Sequence, residues 1–142
     1  MFTIILISTT FAEKADKDFS VEVELRTDVL DISDTNLTKG YDSSRHFFWV
    51  DAIITNEAIL PKKFTYNSCS GYGFKIESDS VRTAVVTCKK NYRRVVLLQH
   101  KEIHKIPLYL SFEKDYTGNT LKFRIGGHNI RWSKFVTVKL LR

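Results

Sequence analysis

The sequence lacks long apolar runs and helical periodicity. Its uncharged opening stretch, residues 1–12, is well short of the roughly 20 apolar residues that a membrane-spanning helix needs, so no membrane span is predicted. No segment sustains a 3.6-residue apolar period, which argues against amphipathic helices. With only two prolines and six glycines, the chain is also far from the composition of fibrous or low-complexity proteins.

Local catalytic and metal-binding motifs are absent as well. The sequence has no Gly-x-Ser-x-Gly elbow, no His-Glu-x-x-His pair, no phosphate-binding glycine loop and no EF-hand pattern. His100 and His104 have the spacing of two ligands on a helix, but they flank a predicted turn with only Glu102 nearby, whereas zinc needs three or four ligands. His46 and His128 are isolated, and we expect them at the surface or at strand ends. The sequence therefore predicts no catalytic residue, metal or cofactor, and we expect a protein that is not an enzyme.

What is present favours a folded β domain. Hydrophobic residues make up 43% and charged residues 27% of the 142-residue chain, which is ordinary for a globular protein. A chain of this length forms one domain and buries roughly two-thirds of its unfolded surface. Valine, isoleucine, threonine, phenylalanine and tyrosine, the residue types that fit a pleated surface, are frequent.

The first residues resemble the end of a secretory signal peptide. Residues 1–12 form an apolar run followed by small residues, with Thr10 and Ala12 in a T-x-A arrangement. The alternative is an N-terminal strand over Phe2–Ser8. We predict a signal-peptide remnant at 1–12, a single β-sandwich domain at 13–142, and a secreted or periplasmic location.

The two cysteines are expected to form a disulfide. In an exported chain, Cys69 and Cys88 are more often a disulfide than a metal pair or a nucleophile. The closed loop of about 20 residues would stabilise the fold by on the order of 3 kcal/mol in the loop-entropy description. If residues 1–12 are a strand instead, the alternative is two buried free thiols in a cytoplasmic protein.

Period-two alternation runs through most of the chain. Phe19, Val21, Val23 and Leu25 alternate with polar residues, which places one apolar face inward. Further β-prone runs occupy 46–56, 63–68, 74–76, 81–88, 92–98, 106–112, 121–125 and 136–140, with a short one at 29–32.

The turns between these runs predict how they connect. The break at 89–91 suits a hairpin between 81–88 and 92–98, and Pro107 indicates an edge position because proline cannot donate to a ladder. We predict an all-β, antiparallel immunoglobulin-like β-sandwich of seven to eight strands. The antibody version is not expected, since Trp49 precedes both cysteines and Val86 stands where the corner tyrosine would be.

Three segments resemble small bacterial exported immunoglobulin-like domains of uncharacterised function. They are FFWVDAIITNEAILPKKFTYNSC at 47–69, CKKN at 88–91 and FRIGG at 123–127. The resemblance implies an immunoglobulin-like sandwich. The same turns are similar to those of proteinase-inhibitor-type domains, whose family implies a protease-binding loop. Because Gln99–Lys105 stands where that pattern has a Pro-Gly turn, no inhibitory loop can be assigned residue by residue.

Two groups of residues are candidates for binding. The chain has a net charge of +6, and a basic patch is predicted from Lys89, Lys90, Arg93, Arg94, Lys101 and Lys105. The alternative is a solubilising hairpin tip. An aromatic platform for stacking sugars is predicted from Trp49, Tyr72, Tyr92 and Trp132, with a role in the core as the alternative.

These features predict a non-enzymatic exported binding or structural domain. The expected partners are another envelope or extracellular protein, or an anionic glycan, and nucleic acid is not expected. The alternatives are a carbohydrate-binding module and a proteinase-inhibitor-type protein-binding domain.

Overall fold

The computed structural model describes residues 17–33, 43–68, 73–84 and 92–142, which contain strands and no helix. The strands are β1 (Phe19–Leu25), β2 (Val29–Asp31), β3 (Arg45–Asn56), β4 (Lys62–Asn67), β5 (Lys75–Glu77), β6 (Arg82–Thr83), β7 (Arg93–Leu98), β8 (Ile103–Glu113), β9 (Thr120–Gly126), β10 (Ile130–Arg131) and β11 (Val136–Leu141). The all-β prediction is confirmed for these ranges, and no helix in them is long and apolar enough to cross a membrane. The predicted signal-peptide remnant, both cysteines, Tyr72, Lys89 and Lys90 lie outside the described residues.

The strands form two larger sheets and a two-stranded ribbon. The five-stranded sheet has the order β10-β1-β3-β8-β6, the four-stranded sheet has the order β2-β11-β9-β5, and β4 pairs with β7. The sequence predicts antiparallel pairing throughout, but β1 with β10 and β11 with β2 are parallel. Each parallel pair involves an edge strand of two or three residues, whose direction the sequence pattern does not report.

Both sheets contribute their inner faces to one hydrophobic core. The alternation predicted for β1, β3, β8, β9 and β11 is confirmed, since the inward apolar positions of each strand are buried or, at Val23, Leu25 and Val136, half-buried. Phe48 of β3 joins the sheets, because its ring lies 6.0 Å from that of Phe112 on β8 and 6.0 Å from that of Phe123 on β9. Each such side chain contributes roughly 1.5–3 kcal/mol by leaving water.

Pro107 lies at a position of β8 where no described neighbouring strand needs the backbone N–H that proline lacks. It pairs with Asp51 of β3, while β6 pairs with β8 only at Ser111 and Leu110. Because the carbonyl of Tyr109 accepts from Ala84 at 2.9 Å, alternate residues of β8, Pro107 included, turn their backbone groups away from β3. In the described residues, Pro107 is therefore locally at an edge, as predicted.

The predicted hairpin between 81–88 and 92–98 is wrong for the residues that are described. The strand β7 pairs with β4, from Asn67 opposite Arg93 to Lys62 opposite Leu98, and β6 pairs with β8. This arrangement buries Phe64 of β4 and Leu98 of β7, which are 5% and 3% exposed, in the common core. Burial of apolar side chains thus overrides the local turn signal.

Candidate functional site

The end of β3 is fixed by one buried side chain, Asn56, which is 0% exposed. Its Nδ2 donates to the carbonyl of Leu60 at 3.1 Å and to that of Leu98 at 2.8 Å. Its Oδ1 accepts from the backbone N–H of Ala58 at 2.9 Å. Its own backbone N–H donates to Glu102 at 3.1 Å, and its carbonyl accepts from Lys101 at 2.8 Å. Asn56 therefore joins the loop 57–61 to the turn 99–102.

Further polar contacts hold the same two segments. The Glu57 carboxylate accepts a 2.7 Å bond from the Ser20 hydroxyl and forms an ion pair with Lys101. The hydrogen bonds from Lys101 and Ser20 lower the pKa of Glu57 below its ordinary value. The Nδ1 of His100 donates to the carbonyl of Ala58 at 2.8 Å. The loop is thus tied to β1, to the 99–102 turn and to itself.

The turn that faces this loop contains a strained residue. The N–H of Glu102 donates to the carbonyl of Gln99 at 3.0 Å, which closes a four-residue turn. Lys101, at the third position, has a φ of 62°, a value that β-turns normally assign to glycine or asparagine. Backbone strain of this kind persists only where surrounding contacts enforce it, and it is concentrated at functional sites.

Three aliphatic side chains project from this fixed framework. Ile59 is 85%, Leu60 68% and Ile103 62% exposed. Ile59 and Leu60 lie in the loop after β3, and Ile103 begins β8 directly after the turn. We call these three residues the aliphatic tip. Hydrogen bonds with the Asn56 side chain order its loop backbone, while its side chains remain in water and contribute nothing to the core.

The sequence has one unusual feature at the aliphatic tip that neither the alternation of apolar residues nor the turn residues indicate. The segment NEAILP joins the predicted runs 46–56 and 63–68, so the sequence predicts a turn there, and the structure has a loop between β3 and β4 at this place. However, turns are usually polar, and two large aliphatic residues between Asn56 and Pro61 are unusual there. The burial of Asn56 has no local signal, because an asparagine at the end of a strand normally indicates a solvated turn.

The described members of the predicted basic patch are spread along the molecule. Arg93 and Arg94 begin β7, whereas Lys101 lies in the turn beyond the far end of the same strand. Lys101 is paired with Glu57, and Lys105 lies 3.3 Å from Glu24 on β1. Arg93 and Arg94 form no ion pair with another described residue. The patch as a binding site stays a prediction, since Lys89 and Lys90 are outside the described ranges.

The described members of the predicted aromatic platform lie on different elements. Trp49 is on the outer face of β3, where the Arg26 guanidinium lies 4.0 Å from its ring and Tyr109 is 5.7 Å away. Tyr92 precedes β7 and is 56% exposed. The Trp132 ring covers Gly126, where a Cβ would lie 2.6 Å from the ring. The sugar-binding role of these residues stays a prediction.

Trp132 also belongs to a cluster that sequence analysis does not identify. The Arg124 guanidinium of β9 lies 5.1 Å from the Trp132 ring and 4.9 Å from that of Phe135, and the Lys122 ammonium lies 5.0 Å from Phe135. Cations over aromatic faces attract the ring quadrupole. The rings on this sheet are therefore already contacted by groups of the same chain.

The histidines have separate surroundings. The Nε2 of His104 lies 3.1 Å from the Tyr66 hydroxyl, away from the His100 contact with Ala58. His46 lies at the start of β3, which agrees with the expected strand-end position, but its side chain is buried rather than at the surface. Within the ranges that the structure covers, no group of three or more histidine, cysteine or acidic residues could hold a metal ion.

Comparisons with known proteins add little to this geometry. No protein-family model matches the chain, and no curated protein matches it. A solved structure of a FixG-related protein from Vibrio parahaemolyticus is similar to it with a TM-score of 0.45 and 10% identity, over 88% of this chain and 96% of that one. A similarity this weak assigns neither fold nor function.

Proposed function

We propose that the chain is an exported, non-enzymatic immunoglobulin-like domain that binds another protein through the aliphatic tip. The observation that carries the proposal is the exposure of Ile59 and Leu60, 85% and 68%, on a loop whose backbone is held by the fully buried Asn56. A loop that served only to connect two strands would gain nothing from exposing them.

The energetics favour a protein as the partner. Moving an isoleucine or leucine side chain from water into an apolar pocket contributes roughly 1.5–3 kcal/mol. A loop that is already ordered loses little conformational freedom on binding, so more of this energy appears as affinity. Sugars stack on aromatic rings, and the aliphatic tip has none. Its side chains instead match the apolar centre of a protein interface.

The strand order supports the immunoglobulin-like part of the proposal. In constant-type domains, one sheet has the order A-B-E-D and the other contains C, F and G. In this chain, one sheet has β1-β3-β8-β6 in the positions A-B-E-D, and the other has β5-β9-β11 in the positions C-F-G. These seven strands also occur along the chain in the order A to G. The resemblance of the segment 47–69 to exported immunoglobulin-like domains supports the same assignment.

Export and the disulfide between Cys69 and Cys88 are tested together. Protein purified from its native source is denatured without reductant, and its thiols are then counted with an aromatic disulfide reagent. We expect no reactive thiol, and two after reduction. Two reactive thiols before reduction would remove the disulfide and weaken the case for export.

Site-specific photo-crosslinking tests the binding site. A benzoylphenylalanine replaces Ile59 or Leu60, and in the control it replaces Leu141, which is 55% exposed on β11. Each variant is irradiated in the envelope and secreted fractions of the source organism. We expect one discrete protein adduct from positions 59 and 60, suppressed by excess unlabelled domain, and none from position 141.

Excess unlabelled domain carrying Leu60→Asp provides the matched competitor. It should fail to suppress the adduct, whereas domain carrying Leu141→Asp should suppress it as well as the unchanged protein does. Adducts of equal yield from positions 60 and 141, or no adduct from either loop position, would contradict the proposal.

A further inference from the structure

The strand β7 has one unpaired edge in the described part of the chain. Its six residues pair in register with β4 alone. The carbonyl of Tyr92 accepts from the N–H of Ser68 at 3.0 Å, so residue 92 turns its backbone groups toward the β4 side. Because these directions alternate along an antiparallel strand, the N–H and C=O groups of Arg93, Val95 and Leu97 point away from β4.

Charged or polar residues occupy the other longer open edges in the described residues: β4 turns the backbone groups of Lys63, Thr65 and Asn67 outward, and β1, beyond its two residues paired with β10, carries the exposed Glu22 and Glu24. The strands β2 and β5 have three residues, and β6 and β10 have two, which are too short to template a partner. Where β8 has only one described neighbour, Pro107 interrupts its row of donors. By contrast, β7 contains no proline, and its one-to-one register with β4 leaves no bulge.

The side chains of β7 indicate what would pair with it. Val95 and Leu97, whose backbone groups point outward, are 54% and 56% exposed. Arg93 and Arg94, exposed at the start of the strand, form no ion pair with another described residue. An incoming strand would therefore bury apolar side chains beside Val95 and Leu97 and would place carboxylates near the arginines. Such cross-strand pairs stabilise a sheet.

We infer that the free edge of β7 receives an extended segment of a partner protein by strand addition, and that this segment combines apolar residues with acidic ones. Main-chain hydrogen bonds to residues 93, 95 and 97 supply the attachment, and the arginines select an acidic segment. The residues of this edge are different from those of the aliphatic tip, and pairing there does not depend on binding at the tip.

The test uses the capped six-residue peptide TVTVEE as the probe, which, when antiparallel to β7, places its valines opposite Val95 and Leu97 and its glutamates opposite Arg93 and Arg94. Amide resonances of the ¹⁵N-labelled domain are followed during titration. We expect the largest shifts at Arg93, Val95 and Leu97, and hydrogen exchange at those amides slowed by about tenfold or more at saturation, because a new hydrogen bond protects them. The peptide TVTVKK should cause neither effect.

Two controls separate strand addition from ordinary charge attraction. The TVTVEE peptide with alternate backbone amides N-methylated keeps its charge but loses its donors, and it should bind at least about tenfold more weakly. In the protein, Val95→Pro removes one outward N–H and should abolish the shifts, whereas Val95→Thr should retain them. The amide spectrum of each variant verifies its fold, and the N-methylated peptide tests the inference on the unchanged protein.

Three outcomes would overturn the inference. They are equal binding of the methylated and unmethylated peptides, shifts confined to the arginine side chains, and protection of the β7 amides that rises with protein concentration in the absence of peptide. The last outcome would assign the edge to a second copy of the chain.

Discussion

A polar side chain is buried at each end of β3, but the two side chains differ in how completely they are hydrogen-bonded. At one end, Asn56 uses both of its amide hydrogens, its side-chain oxygen and both backbone groups in hydrogen bonds. At the other end, the buried Nδ1 of His46 has no hydrogen-bond partner among the residues that the structure describes, and its ring packs 5.2 Å from that of Phe112. At the start of the strand the neighbouring Arg45 is also buried, but its guanidinium is bonded to Ser111 and paired with Glu113, so His46 alone of the described residues is left incomplete there.

The difference distinguishes the end of β3 that carries the proposed binding site from the end that buries an unpaired nitrogen. Buried polar groups that are fully bonded fix a single local structure, whereas an unpaired one costs free energy and changes when it is protonated. The Asn56 end carries the aliphatic tip, which needs a fixed backbone. The His46 end carries no comparable exposed apolar group in the described residues, and we expect it to respond mainly to pH.

The largest effect is expected from Asn56→Asp. The substitution removes two donors, leaves the carbonyls of Leu60 and Leu98 without them, and buries a carboxylate. We expect the free energy of unfolding to fall by about 3 kcal/mol, measured by urea denaturation. The matched change Asn119→Asp, at an exposed position, should alter it by less than about 0.5 kcal/mol. Equal effects would show that Asn56 is not the organising residue.

The next effect concerns His46 and pH. Burial, with Lys114 and Arg142 nearby, lowers the pKa of His46 below 6.5. Between the two pKa values the unfolded chain binds more protons than the folded one, so stability falls as the pH drops from about 6.5 through the folded pKa. His46→Phe also removes the unpaired nitrogen, so we expect a gain of about 1–2 kcal/mol near pH 5.

The control for this pH effect is His128, which is exposed. Urea denaturation at several pH values between 7 and 5 should show a flatter pH dependence in His46→Phe and an unchanged one in His128→Gln. A slope that persists in His46→Phe would place the titrating group elsewhere.

A smaller effect is expected from the strained turn at the Asn56 end. Lys101→Gly and Lys101→Ala both remove the ion pair with Glu57, but only glycine adopts a φ of 62° without strain. The glycine variant should therefore be more stable than the alanine variant by about 1 kcal/mol in thermal or urea denaturation. Equal stabilities would mean that the turn is not held in this conformation in solution.

The smallest effect is expected from Glu57→Gln. The carboxylate of Glu57 is partly exposed, and such pairs contribute about 0–1 kcal/mol. Since its pKa is lowered, its contribution is present above the ordinary value of 4.5 and is lost as the pH falls through the folded pKa. The two ends of β3 should thus lose stability in different pH windows. If Glu57→Gln removed the loss between pH 6.5 and 5, the two ends would not be separate.

The sequence predicts the interior of this fold better than its margins. Alternation alone places Val21, Phe48 and Phe123 in the core, because burial of one sheet face imposes a period of two. The parallel edges and the pairing of β4 with β7 depend on contacts between distant segments. The exposure of Ile59 and Leu60 is not predicted, because the turn residues that flank them indicate only a connection, and the burial of Asn56 follows only from the meeting of two loops.

The most direct test is the affinity of the domain for the protein that crosslinks to the loop. Dissociation constants are measured by calorimetry for Ile59→Ala, Leu60→Ala and the control Leu141→Ala. We expect each loop variant to bind at least about tenfold more weakly, which corresponds to about 1.4 kcal/mol, and the control to bind as the unchanged domain does. Loop variants that bind like the unchanged domain, or a loss of affinity confined to Leu141→Ala, would contradict the account.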